Sequence, residues 1–160
     1  MKKGMICLGL GTNLGDLEEN LRMALHFLEP SVQIIKSSNL YESEPFGKKD
    51  QPWFLNMCVL AETALTPQEL LEFCKKIESD MGREKGEKWG PRLIDIDILL
   101  YDDRIIEEEV LTIPHKQLHK RKFVLLPLSE IAGDILHPQL KKPLNELLNS
   151  CEDVSIVRLH

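Results

Sequence analysis

Leu93-Ile94-Asp95-Ile96-Asp97-Ile98-Leu99-Leu100-Tyr101 is the stretch on which the fold turns. Ile94, Ile96, Ile98 and Leu100 alternate with Asp95, Asp97, Leu99 and Tyr101, and this period of two predicts a β-strand with the four apolar residues on one face. Both aspartates then share the other face. Side chains two apart on a strand stand roughly 7 Å from each other at Cα, so two ionised carboxylates there repel, and Asp is a poor strand former. A cation should compensate. Hard oxygen ligands of this kind suit Mg²⁺, which one or two carboxylates hold while water and substrate phosphates fill the remaining positions. A merely solvated acidic face is the other reading of the same spacing.

Immediately upstream, Gly82-Arg83-Glu84-Lys85-Gly86-Glu87-Lys88-Trp89-Gly90-Pro91-Arg92 carries three glycines, four basic residues and no apolar run. It reads as a mobile loop. A basic loop beside a Mg²⁺ site is suited to act as a lid and to neutralise a polyphosphate in flight. An ordinary solvated linker is the competing reading, weakened by Trp89, which is costly to leave in water without a partner.

Further upstream, Thr66-Pro67-Gln68-Glu69 is the clearest helix start in the chain. Thr66 is the expected N-cap, Pro67 takes the first helical position, where its missing N–H costs nothing, and Glu69 bonds back. Leu70, Cys74, Ile77 and Met81 form that helix's buried stripe. Nearer the start, Met5-Ile6-Cys7-Leu8-Gly9-Leu10 suits a buried strand and Gly11-Thr12-Asn13-Leu14-Gly15 turns it into a helix capped by Asp16, with Glu19 completing a capping-box-like pair. Leu17, Leu21, Leu25 and Leu28 give that helix its apolar stripe, up to Pro30. Residues 32–41 read as one strand, 42–53 as a polar loop, and 54–60 as another strand. The order strand, helix, strand, strand, helix, strand predicts an α+β fold, a ferredoxin-like βαββαβ sandwich, with additional C-terminal helices at 123–131 and near 144–148.

The 160 residues fit one domain, 1–160, and 42% hydrophobic with 29% charged is ordinary for a soluble globular protein. A formal net charge of −6 argues against a general nucleic-acid or membrane surface, so the basic loop is a local feature in an acidic protein. Its target is expected to be small. Cys7, Cys58, Cys74 and Cys151 show no C-x-x-C spacing, and the apolar run after Met1-Lys2-Lys3-Gly4 is too short for a signal peptide or a membrane span. A reduced, cytoplasmic protein is expected.

Other candidate motifs are weaker. Gly9-Leu10-Gly11-Thr12-Asn13-Leu14-Gly15 has G-x-G-x-x-x-G spacing and no parallel βαβ continuation, which argues against a dinucleotide site. His115 and His119 are four apart but lack the further ligands zinc needs. His119 reads as an exposed helix-turn histidine, while His115, followed by Lys116, Lys120, Arg121 and Lys122, could touch an anion. Phe46, Trp53, Phe54 and Phe123 read by default as core or rim residues, with core favoured for each. Asn56 sits in mid-strand, where its amide needs partners, and so could read a ligand edge.

Five motifs in order resemble the 6-hydroxymethyl-7,8-dihydropterin pyrophosphokinase family over nearly the whole chain: 10–16, 41–47, 50–56, 89–98 and 111–115. The most specific is Trp89-Gly90-Pro91-Arg92-Leu93-Ile94-Asp95-Ile96-Asp97-Ile98. The resemblance implies transfer of the β,γ-pyrophosphoryl group of ATP to the hydroxymethyl oxygen of the reduced pterin in folate biosynthesis, releasing AMP. It further implies two Mg²⁺ ions on Asp95 and Asp97. Phe54 and Phe123 would sandwich the pterin, Asn56 would hydrogen-bond its edge, and Ser43, Pro45 and Phe46 would lie along it. Arg83 and Arg92 would stabilise the transferring phosphates and Trp89 would help seal the loop. Glu78, Lys85, Ile98, Thr112, His115 and Arg121 would line the ATP side. Phe54 stands where some relatives have tyrosine, and Lys116 where some have an aromatic. The partners expected are these two small molecules, with no nucleic acid and no membrane, acting on a monomer. A non-catalytic ferredoxin-like binding module and an RNA-recognition module share the element order; residues 54–62 lack the Lys/Arg-Gly-Phe pattern of the latter.

Overall fold

The computed structural model describes residues 2–160 apart from 46, 48 and 83–92. The expected lid segment, with Arg83, Lys85, Trp89 and Arg92, therefore lies outside the described residues, as does Phe46. In chain order the elements are β1 (Gly4–Thr12), α1 (Leu17–Leu28), β2 (Val32–Ser37), β3 (Tyr41–Ser43), β4 (Phe54–Thr63), α2 (Pro67–Asp80), β5 (Asp95–Tyr101), β6 (Ile106–Glu107), β7 (Thr112–Ile113), α3 (Lys122–Ala132), α4 (Leu144–Asn149) and β8 (Val157–Leu159). A 3-10 turn, Leu118–Lys120, precedes α3.

The main sheet is antiparallel in the order β5-β1-β4-β3-β8, with β2 also paired to β4. β4 is at its centre because its sequence is apolar in both phases. Leu55, Met57, Val59 and Ala61 face one core with Ile6, Leu8 and Leu10 of β1, covered by α1 and α2. Cys58 and Leu60 face a second core, with Cys7, which α3 and α4 cover through Val124, Leu125, Leu128, Leu144 and Leu147. An α+β architecture with helices on both faces of an antiparallel sheet is thus what the alternation builds.

The helix starts follow their sequence signals. Thr66 and Glu69 form a reciprocal capping box, the Thr66 hydroxyl accepting from Glu69 N and the Glu69 carboxylate from Thr66 N. At α1 only half of the expected pair forms: Asp16 accepts from Glu19 N at 3.2 Å, while the Glu19 carboxylate pairs with Arg22 one turn on.

Two expectations are corrected. Residues 32–41 are not one strand. Both β2 and β3 run along the same edge of β4, and between them Ser38 takes over the pairing, its hydroxyl accepting from Cys58 N at 2.9 Å. The alternation in β5 also breaks. Leu8 pairs with Ile98 but Cys7 pairs with Leu100, so Leu99 is an extra residue in a β-bulge. Beyond the bulge the faces exchange: Leu100 joins Leu99 in the α3/α4 core, and Tyr101 joins Ile94, Ile96 and Ile98 in the other. Tyr101 there donates its hydroxyl to the Leu65 carbonyl.

Candidate active site

One face of the sheet carries most of the expected site because of register. Asp95 lies opposite Gly11, Gly11 opposite Asn56, and Asn56 opposite Tyr41, forming one row across four strands. The neighbouring row holds Asp97, Gly9 and Cys58. With strands about 4.8 Å apart, two spacings put Asp95 and Asn56 on the order of 10 Å from each other at the backbone. Residues two apart on a strand share a face, so Asp95 and Asp97, Asn56 and Phe54, and Tyr41 and Ser43 all emerge on the side that α3 covers farther along.

Glycine makes the floor of that face. A Cβ on Gly11 would stand 3.0 Å from the Asn56 Oδ1 atom, tighter than most side-chain contacts, so any other residue would make Asn56 give way slightly. Above the two glycines opens a cleft of about 680 Å³, lined by Ser43, Phe54, Asn56, Glu78, Asp95, Asp97, Ile98, Thr112, His115, Arg121 and Phe123, among others. This is ample for two small substrates side by side.

At one end, Asn56 is only 4% exposed and donates its amide to the Ser43 hydroxyl at 2.7 Å, with Ser43 itself 3% exposed. A buried amide tied in this way has a fixed orientation and presents its remaining polar capacity to whatever lies in the cleft. Phe54, Phe123 and Trp53 are half-buried, at the rim of the core rather than inside it, with Phe123 packing against the α3/α4 core. Phe54 and Phe123 line the cleft, whereas Trp53 is not among its lining residues. Arg121 lies with its guanidinium 5.8 Å from the Phe123 ring.

At the other end, Asp95 is half-buried and Asp97 exposed. Glu78 of α2, 6% exposed, accepts from the backbone N–H of Ile96, the residue between the two aspartates, at 2.8 Å. Three carboxylates therefore surround one short segment of strand. The described residues contain no cluster of three or more His, Cys, Asp or Glu able to enclose a metal on protein ligands alone. Two carboxylates at alternate positions of one strand suit a cation that takes its other ligands from water and phosphate.

His115 is positioned by its neighbours. Its backbone N–H donates to Leu99 O at 3.0 Å, and its Nδ1 accepts from Gln117 N at 3.1 Å, which leaves Nε2 to carry the proton. Burial pushes the imidazole below its usual range, Asp97 pulling the other way and Arg121 reinforcing the fall. The result is a neutral ring with a donor beside Asp97. Burial also lowers Arg121, with Asp97 and Asp153 opposing.

Pro45 is buried but is not part of the cleft lining, which runs instead through Ser43 and Glu44. Ile98 borders the cleft while its side chain packs in the α1/α2 core. His119 is half-buried rather than exposed, its ring edge-on to that of the buried His137 at 6.1 Å. Leu71 and Lys75 were not read from the sequence as site residues, yet both line the cleft with Glu78. Their spacing was the available signal: 71, 75 and 78 fall on one helical stripe beside the stripe of Leu70, Cys74 and Ile77.

A family model described as 7,8-dihydro-6-hydroxymethylpterin-pyrophosphokinase (HPPK) matches residues 7–133. The chain is 47% identical over 141 residues to the 2-amino-4-hydroxy-6-hydroxymethyldihydropteridine pyrophosphokinase of Aquifex aeolicus, covering 88% of each. To the protein of the same name from Haemophilus influenzae it is 38% identical over 155 residues, covering 96% of each. It is also 45% identical to the folic acid synthesis protein fol1 of Schizosaccharomyces pombe, of which it spans 20%. A crystal structure of an HPPK-DHPS in complex with substrates superposes with a TM-score of 0.77 at 18% identity, over 93% of this chain and 43% of that one. That likeness speaks to the fold.

Proposed function

Because the chain belongs to the 7,8-dihydro-6-hydroxymethylpterin-pyrophosphokinase family, we propose that it moves the pyrophosphoryl group of ATP to the hydroxymethyl oxygen of 6-hydroxymethyl-7,8-dihydropterin, releasing AMP, in folate biosynthesis. The observation that carries this reading is the row Asp95, Gly11, Asn56, in which a pair of carboxylates and a fixed amide face one cleft across a glycine floor. We take residues 1–160 to act as one pyrophosphokinase domain on a ferredoxin-like βαββαβ core, as a monomer. Free thiols at Cys7, Cys58, Cys74 and Cys151 agree with a reducing compartment such as the cytoplasm.

The reaction is an attack by the pterin hydroxyl oxygen on the β-phosphorus of ATP. A new P–O bond forms there, the bond from that phosphorus to the α,β-bridging oxygen breaks, AMP leaves with the electron pair, and the proton of the attacking hydroxyl is released to water. Phe54 and Phe123 stack on the pterin, while Asn56, held by Ser43, reads its edge. Ser43 and Glu44 continue that wall, with Pro45 buried behind it, and Phe46 is assigned to the same pterin edge. On the nucleotide side Glu78, Lys85, Ile98, Thr112, His115 and Arg121 orient ATP, the neutral His115 donating from Nε2 to a phosphate oxygen. Arg83 and Arg92 neutralise charge on the transferring group and Trp89 closes over it. Asp95 and Asp97 suit a pair of Mg²⁺ ions, which when bound would neutralise and align the triphosphate. Positioning and electrostatics, rather than covalent catalysis, supply the acceleration.

Incubating the protein with ATP, the dihydropterin and Mg²⁺, and separately with EDTA, tests this assignment. A pyrophosphorylated pterin formed only with Mg²⁺ is expected. ATP left unchanged in both would mean a binding module without catalysis, a reading that kinship to proteins named as pyrophosphokinases disfavours.

A further inference from the structure

We infer that residues 153–160, which lie beyond the family-matched stretch, form an outer frame for the pterin end of the cleft and set how tightly that substrate is held. The inference rests on the assignment of Ser43, Phe54 and Phe123 to the pterin.

Without β8, the short strand β3 would have a single backbone ladder, to β4, beside the bond from the Tyr41 hydroxyl to Glu130 of α3. β8 supplies a second ladder, pairing Leu159, Arg158 and Val157 with Tyr41, Glu42 and Ser43. Beyond the end of β3, Glu44 is pinned twice, its N–H donating to Ile156 O at 3.2 Å and its carboxylate accepting from Ile156 N at 2.8 Å. Glu44 lines the cleft, so its position is fixed by this segment.

Both aromatic walls are referenced to the same eight residues. Arg158 donates from Nε to Glu42 at 2.9 Å, and its guanidinium lies 4.6 Å from the centre of the Trp53 ring. Trp53 directly precedes Phe54, so the contact fixes where the chain enters β4 with its stacking ring. On the other wall, Asp153 accepts from Lys122 N at 2.9 Å, at the first residue of α3 and one before Phe123. A planar ligand between two rings is held well only when their separation is fixed. One segment that grips the approach to each ring fixes it.

Arg158 is the informative position, because its side chain is 63% exposed and its removal opens no hole in either core. For Arg158→Ala we expect a ~3- to 10-fold rise in Kd and KM for the dihydropterin, the scale of an exposed cation–π and ion-pair contact, with KM for ATP and kcat unchanged. Arg158→Lys, which keeps the charge for Glu42 but loses the planar stack, should fall between the two. Asp153→Asn, which keeps an acceptor for Lys122 N but not a second one for Ser155 N, should lose less pterin affinity than Asp153→Ala. A general loosening of the fold would instead raise both KM values and lower kcat together. That outcome, or pterin binding by Arg158→Ala equal to the unaltered protein's, overturns the frame and leaves the functional assignment standing. Failure of the unaltered protein to bind the dihydropterin overturns both.

Discussion

Asp97 shows what a single residue contributes and how far a sequence reveals it. It stands exposed at the mouth of the cleft, opposite Gly9, and supports no core, so Asp97→Ala should abolish turnover and leave the circular dichroism spectrum and melting temperature unchanged. Loss of the fold in that variant would mean the carboxylate is structural. Glu78 differs, because its carboxylate accepts from Ile96 N within the protein. Glu78→Ala strands that buried N–H at a cost of about 1–3 kcal/mol, so a lower denaturation midpoint should accompany any loss of activity. Arg92→Ala should slow the chemical step more than it weakens pterin binding, read from single-turnover rates against Kd; near-normal rates would remove Arg92 from the mechanism. The aspartate pair and Asn56 were legible because a charge or an amide inside an apolar strand demands a reason. Lys75 was not, since a lysine on a helix is unremarkable until the cleft beside it is seen.

At the scale of elements, legibility followed the locality of the interaction that decides each one. The capping box at Thr66 is written within four residues and formed as expected; Thr66→Ala should cost about 1 kcal/mol by denaturant titration with activity retained. The bulge at Leu99 and the break at Ser38 depend on pairing with β1 and β4, distant in sequence, and no periodicity within the strand announces them. The edge that β8 closes carries a titration of its own. His160 Nδ1 lies 2.8 Å from Glu42 and Nε2 2.7 Å from Glu18, and these contacts, that with Glu42 foremost, raise the imidazole above its usual range. A histidine raised on folding stabilises fully below its unfolded pKa and loses that contribution as pH climbs through the folded value. Melting curves should therefore show His160→Gln less stable than the unaltered protein from about pH 5.5 to 6.5, the ordinary histidine pKa, converging above the raised value. A gap that widened with pH would refute the clasp.

For the molecule as a whole, the sheet separates two tasks. The α1/α2 face is packed along its length, whereas the opposite face is covered by α3 and α4 only in part, and where cover ends the glycines of β1 leave the cleft. That division could not be read from the chain, because which strand face α3 covers depends on its long connection from β5 and on the faces exchanged at Leu99. It has a chemical signature: the deep thiols should be inert. Burial pushes Cys7 and Cys74 to about 12 and Cys58 well above its usual range, so iodoacetamide at pH 8 should spare all three in the native protein and modify them on unfolding. The central claim concerns which bond of ATP is cut, and ATP labelled at the β-phosphorus reads it directly. With Mg²⁺ and the dihydropterin present, the account predicts that the label leaves on the pterin and the nucleotide released is unlabelled AMP; ADP retaining the label would contradict it.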